Sequence, residues 1–290
     1  MRAIGRFLVI VCAFGTFAVA SPAQQAAPPD RAAKVLVDAR AALGGEQKLS
    51  AIKSFMTTGR TRRVQGENLV PIEFEMAVEL PDKYMRKDEI PAQESEPTTN
   101  GFNGDALVQS PPLTPPEPRP GMPAPSPGQF EQMQRQRVLT TKQDFARLML
   151  GMFATSFSGY PLAFKYVGQA EAPQGRAHVL EATGAGNFTT RFFVHAETHL
   201  PVMVSWQAAA RPGGRGRGRG EPSAPAAAPS QSPTASAENR LYFADYRDVD
   251  GVKLPFRLRR AVGTETVEET TFDRFRLNTK IDPRKFEVRR

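Results

Sequence analysis

The sequence predicts an α+β fold in which an antiparallel β-sheet carries a small number of helices over one face. Three observations lead there. Strand-length segments with period-two alternation dominate the chain, the turns between them are short, and the order is helix, several strands, helix, then strands to the C-terminus.

The first helix starts at Asp30, a residue suited to an N-cap. Ala32, Ala33, Val35, Leu36, Ala39, Ala42 and Leu43 then recur at helical spacing, and Gly44 and Gly45 end it. From Ile52 the period changes to two. Ile72, Phe74, Met76, Val78 and Leu80 face one way and Glu73, Glu75 and Glu79 the other, as on a strand with one wet face. Pro81 and Asp82 turn the chain, and Lys83 to Ile90 returns. A second helix is expected over Gln129 to Ala154, with Phe130, Met133, Val138, Phe145, Leu148, Met149 and Met152 as its apolar positions. Strands follow at Phe188 to His195, Leu200 to Gln207, Arg240 to Arg247, Val252 to Val262 and Thr264 to Phe275. Asp248-Val249-Asp250-Gly251 is the clearest hairpin turn, because its glycine tolerates a positive φ. Ala196 to Pro201 makes another.

Two low-complexity inserts interrupt this pattern. Residues 110–128 are too rich in proline to donate ladder hydrogen bonds, which predicts an extended loop. Residues 209–237, which include an Arg-Gly repeat, have no apolar periodicity to offset the entropy of ordering and are expected to be disordered. What remains is expected to be a single domain over residues 30–290.

The N-terminus reads as a cleavable export signal over residues 1–23. Arg2 and Arg6 precede a 14-residue apolar or small stretch from Phe7 to Ala20, and small residues allow cleavage after Ala20 or Ala23. That stretch is short of the roughly 20 residues needed to span a bilayer. Cys12, the only cysteine, lies inside it and away from the cleavage point, so it is signal-peptide core and not a lipid attachment site. Residues 24–29 form a tether. The exported chain, periplasmic or secreted and soluble, then has no disulfide, thiolate metal site or cysteine nucleophile. The net charge is +8, and its excess concentrates in Arg215, Arg217, Arg219, Arg289 and Arg290, which is a pattern of local basic tails and not a nucleic-acid-binding face.

The sequence offers little covalent chemistry. His195, Glu197 and His199 would share one strand face at i, i+2 and i+4, but they fall in a hairpin turn that scatters them, so no metal centre is assigned. His178 stands alone between apolar strand residues. Hydrolysis by a strained serine turn needs G-x-S-x-G, and none occurs. Gly184-Ala185-Gly186 lacks the second half of a phosphate-cradling loop and reads as a hairpin turn. Arg-Gly repeats bind RNA in cytosolic proteins. Export removes that partner and leaves a solvated linker, or a weak attraction to anionic headgroups or envelope polymers. No catalytic residue, metal or cofactor is therefore expected. The aromatic and methionine inventory, including Phe102, Phe145, Phe157, Phe188, Phe192, Trp206 and Phe272, suits a surface that re-packs around acyl chains as well as an ordinary core.

Three stretches, taken in order, resemble the exported proteins of the outer-membrane lipoprotein carrier and sorting superfamily (LolA/LolB-like). They are Ala41 to Gly45 with Ile52 to Gly59, the hairpin Phe193 to Val202, and Asp245 to Phe256 with Ile281 to Phe286. The two inserts depart from that pattern, as does Ala196, where such hairpins often carry an acidic residue. The resemblance implies a strongly curved antiparallel sheet, an incomplete barrel whose concave side is covered by helices. It also implies an apolar cavity that holds acyl chains, and no catalytic residues.

The leading expectation is a periplasmic carrier for a lipid, lipoprotein or other amphiphile, working without covalent chemistry. Alternation nominates Phe74, Met76, Val78, Phe192, Val194, Val202, Val204 and Trp206 as cavity lining. The alternative is an envelope sensor or scaffold whose sheet edge or proline-rich loops contact another protein, its apolar interior simply a core; a membrane-surface contact is a further candidate partner. A metal-dependent enzyme using His195 and His199 is the third reading.

Overall fold

The computed structural model describes residues 30–91, 93–115, 126–172, 175–207 and 237–287. Residues 1–23, expected to be an export signal, residues 24–29, expected to be a tether, residues 116–125 of the first insert and residues 209–236 of the second lie outside the described residues. Among the described residues three α-helices and twelve strands occur in the order α1 (Asp30–Ala42), α2 (Glu46–Ala51), β1 (Ser54–Gln65), β2 (Asn68–Glu79), β3 (Lys83–Glu89), β4 (Thr98–Asn103), β5 (Ala106–Ser110), α3 (Pro127–Phe153), β6 (Ala163–Ala172), β7 (Gly175–Gly184), β8 (Phe188–His195), β9 (Pro201–Gln207), β10 (Glu238–Val249), β11 (Val252–Val262) and β12 (Glu265–Leu277), followed by a 3-10 turn at Pro283–Phe286. No helix among the described residues is long and apolar enough to cross a membrane.

All twelve strands form one antiparallel sheet in the order β5-β4-β3-β2-β1-β12-β11-β10-β9-β8-β7-β6. It is two meanders joined where the first strand meets the last: β1 pairs with β12 from Phe55 opposite Leu277 to Arg63 opposite Glu268. The sheet is open, with β5 and β6 as its edges, and α3 carries the chain from one edge to the other.

The sheet bends around α3. The Phe145 ring lies 4.7 Å from Tyr84 on β3, and two residues along the helix the Arg147 guanidinium lies 4.8 Å from the Phe188 ring on β8. Those strands are seven spacings apart in the sheet order, or roughly 33 Å if the sheet were flat. Register shifts at Thr58/Gly59, Arg260/Ala261, Tyr166/Gly168 and Phe193/Val194 supply local bends.

α3 begins inside the stretch read as a proline-rich loop. Ser126 accepts from the Gln129 amide and the Gln129 side chain returns the contact, a reciprocal cap, with Pro127 in the first turn where its missing N–H costs nothing. Ser110, at the other end of that stretch, is the last residue of β5. The first insert is therefore shorter than residues 110–128, because the cap chemistry at Ser126 overrides the proline count. From Phe145 to Phe153 every residue of α3 is buried. A helix enclosed on all sides is a core element and not a surface-lying one.

The largest apolar cluster fills the space between α1, α3 and one sheet face. The opposite face carries two smaller clusters, one around Phe193, Met203 and Tyr242 and one around Met85, Ile281 and Phe286 beneath the 3-10 turn. Alternation explains the split: Phe192 and Val194 face the large cluster while Phe193, between them, faces the other.

Candidate functional site

Seven of the eight residues nominated as cavity lining come together. Phe74, Met76, Val78, Phe192, Val194 and Val204 are buried in the large cluster, and Trp206 packs against it, partly buried. Val202 does not join them. It is 5% exposed within the second cluster, on the opposite face. Strict alternation would have placed it with Val204, but the pairing of β8 and β9 jumps from Phe193–Met203 to Val194–Pro201. That bulge leaves Val202 as the extra residue and turns its side chain over.

α3 is packed against one face of the sheet, and among the described residues two cavities lie beside it. The first, about 310 Å³, opens near the C-terminal end of α3 and is lined by Leu49, Ile52, Leu80, Met149, Phe153 and Phe157, with Arg40, Lys53 and Thr155 among its polar residues. Its cations are engaged locally: Arg40 Nη1 donates to the Phe153 carbonyl at 2.9 Å and Nη2 to Glu46 at 2.8 Å, and Lys53 Nζ donates to the Ser50 carbonyl at 2.8 Å. The Arg40 contact holds the Glu46 carboxyl below its ordinary range. None of the eight nominated residues lines this cavity.

The second cavity, about 160 Å³, lies between α3 and the sheet and includes Met76 and Trp206. Its lining combines the apolar Phe145, Leu148, Leu258 and Phe272 with the charged Arg86, Arg147, Arg260, Asp144 and Glu268. Arg86 lies 4.3 Å over the Phe74 ring and donates to Asp88 at 2.6 Å and to Thr61 at 3.0 Å. Glu268 takes the Arg63 Nε–H at 2.9 Å. These charged residues were invisible to a search for alternating apolar positions, because long cationic side chains lay an apolar stem along a core and keep a charged tip. The one sequence signal was Arg147, the single charged residue in the apolar run Phe145 to Phe153, with Asp144 three residues before it.

Two larger grooves, about 740 Å³ and 450 Å³, lie where Glu75, Lys87 and Lys285 meet. Phe74 borders the smaller of them. Their charged linings suit polar contacts and not acyl chains.

The histidines fall as their turn predicts. His195 Nδ1 accepts from the Glu197 and Thr198 amides at 3.1 and 3.2 Å, and His199 takes a left-handed φ of 57°. His178 Nδ1 lies 3.3 Å from the Tyr166 hydroxyl, and burial, then the charge of Arg31, lowers its pKa. Among the described residues no group of three or more His, Cys, Asp or Glu could hold a metal ion.

The fold is thus an open twelve-stranded antiparallel sheet with α3 packed against one face and two cavities beside that helix, one mainly apolar and one of mixed lining. No protein-family model matches the chain, and no curated relative does. Among solved structures, a LolA superfamily protein from Nitrosomonas europaea aligns at a TM-score of 0.50 and 10% identity, over 88% of this chain and 97% of that one. A DUF1329 family protein from Desulfovibrio piger aligns at a TM-score of 0.47 and 9% identity, over 88% and 97%. The fold is LolA-like, as the sequence resemblance implied.

Proposed function

We propose that this chain is an exported, non-enzymatic binding protein for an acyl-bearing amphiphile, a lipid or lipoprotein, handed over without covalent chemistry. The observation that carries this reading is the 310 Å³ apolar cavity at the end of α3, beside a core rich in phenylalanine and methionine. That volume sits at the lower end of ligand pockets and admits a single short chain. In this reading α1 and α3 cover the concave side of the sheet, and a longer chain is accommodated as the C-terminal half of α3 withdraws. Phe74, Met76, Val78, Phe192, Val194, Val204 and Trp206 then become the wall against which methylenes are desolvated, at about 0.8 kcal/mol each.

One observation favours the alternative, a scaffold or sensor acting through protein contacts: α3 is buried on all sides from Phe145 to Phe153, so the resting interior is well filled. Mass spectrometry of organic extracts from gently purified protein, with titration of a fluorescent fatty acid, separates the two. Co-purifying lipid or saturable fatty-acid binding supports the carrier. A chain that brings no lipid and binds no fatty acid is the scaffold.

A further inference from the structure

We propose that the cavity at Arg147, Trp206 and Arg260 is a subsite for the anionic head of the bound amphiphile, a carboxylate or a phosphate. The inference rests on the amphiphile-binding reading and names its ligand class. Arg147 projects from the apolar run of α3 and is only 8% exposed. Its guanidinium packs 4.8 Å from the Phe188 ring and 4.3 Å from the Trp206 ring. Nη1 donates to Asp144 at 2.8 Å, but that carboxylate is 67% exposed and so a weak counter-charge. Nε is buried with no hydrogen-bond partner. A buried guanidinium with an idle donor is costly unless something else completes it.

A second cation shares the ring. Arg260, on β11, lies 5.9 Å from Trp206 and reaches Asn239 Oδ1 only at 3.5 Å, the limit of a hydrogen bond. Burial, and in smaller part the charge of Arg260, lowers the pKa of Arg147. An anion placed between two like charges relieves both, and guanidinium forks match carboxylate and phosphate oxygens.

The rest of the lining agrees. Asp144 and Glu268 offset two of the three arginines and leave one positive charge, while Arg86 is already taken by Asp88 and Thr61 and Glu268 by Arg63. In the same cavity Met76, Phe145, Leu258 and Phe272 offer apolar contact to the first methylenes. Cationic and apolar groups lining one cavity are what an amphiphile's head and adjoining chain require. Arg40, at the other cavity, is a poorer candidate because Glu46 and the Phe153 carbonyl already engage it.

Trp206 is the chain's single tryptophan, so its emission reports on this site alone. The full chain is titrated with laurate, 1-dodecanol, acetate and inorganic phosphate, by Trp206 fluorescence and by calorimetry. Laurate is expected to bind saturably and at least about tenfold more tightly than dodecanol, with acetate and phosphate much weaker than either. Arg147→Met and Arg260→Met are each expected to lower laurate affinity about tenfold, towards that of dodecanol. Arg260 is exposed, so its variant retains the fold, and circular dichroism verifies both. Equal binding of laurate and dodecanol, or arginine variants that bind laurate as wild type does, overturns the head subsite and leaves amphiphile binding standing. Acetate or phosphate binding as tightly as laurate overturns it in favour of a free-anion site. Binding of neither laurate nor dodecanol removes the amphiphile reading itself.

Discussion

The hydroxyl of Tyr246 on β10 meets the carbonyl of Gly151 on α3 at 2.8 Å, across 95 residues of sequence. The same hydroxyl lies 3.0 Å from the Pro201 carbonyl at the start of β9. Helix and sheet are thus tied at a buried polar point within an otherwise apolar contact. Burial holds the Tyr246 phenol well above its ordinary pKa, so it stays a donor across the physiological range. Any withdrawal of α3 must break this tie.

Tyr246→Phe therefore removes the donor and leaves a buried carbonyl without it. The expected loss is about 1–3 kcal/mol of unfolding free energy. Urea unfolding monitored by circular dichroism should show a lower midpoint with an unchanged slope. An unaltered midpoint would mean that the tie contributes nothing.

Gly151 itself is required by Phe243. A Cβ built there would meet Phe243 Cε1 at 2.0 Å, closer than any real contact. Alanine normally stabilises a helix interior over glycine by roughly 0.5–1 kcal/mol. Here overpacking, which costs about 1–3 kcal/mol, wins. Gly151→Ala is expected to destabilise, and adding Phe243→Leu should recover part of the loss. A thermal-unfolding double-mutant cycle with strictly additive effects would contradict the contact.

How legible this was in the sequence differs by element. β8 and β11 fall at the limits that alternation set, and α1 ends before Gly44 as its stop signal required. The Asp248 to Gly251 turn is a two-residue loop with positive φ at both Asp250 and Gly251, not at the glycine alone. The hairpin of β4 and β5 was missed, because TTNGFN and ALVQS carry too few apolar residues to alternate. α2 was missed because Leu49 is its single buried residue. The pairing of β1 with β12 joins residues some two hundred apart, which no local pattern encodes. Period-two reasoning puts Met76, Trp206 and Val202 on one face; Met76 and Trp206 line the second cavity, and the bulge in β9 turns Val202 to the opposite face. Arg147 was out of its reach, because a charged residue acquires an interior role only through what the sheet wraps around it.

Three tyrosines make stability sensitive to alkali. Burial pushes Tyr84 up to about 12 and raises Tyr160 and Tyr246. For an acid whose folded-state pKa is raised, the neutral form is favoured by folding. Its stabilisation is fully present below the unfolded pKa of about 10 and is lost as pH rises through the folded value. The urea midpoint should decline above about pH 10 with these three phenols titrating late. Phenolate absorbance compared between wild type and Tyr84→Phe isolates one displaced transition. Loss of an ordinary transition near 10 in that variant would refute the burial argument.

The cavity at the end of α3 can be tested by filling it. Thr155 lies half-buried on its wall, and its hydroxyl donates only to the neighbouring Ser156 carbonyl at 3.2 Å, so the side chain is free of long-range structural duty. Thr155→Phe adds bulk towards an empty volume of about 310 Å³ and should leave the unfolding midpoint close to wild type. If acyl chains enter here, laurate and dodecanol affinities should both fall about tenfold, because the tail and not the head is excluded. The arginine variants at the other cavity should instead weaken laurate selectively. A filled cavity with undiminished binding of both amphiphiles would place the acyl chain elsewhere, along the face that α3 vacates.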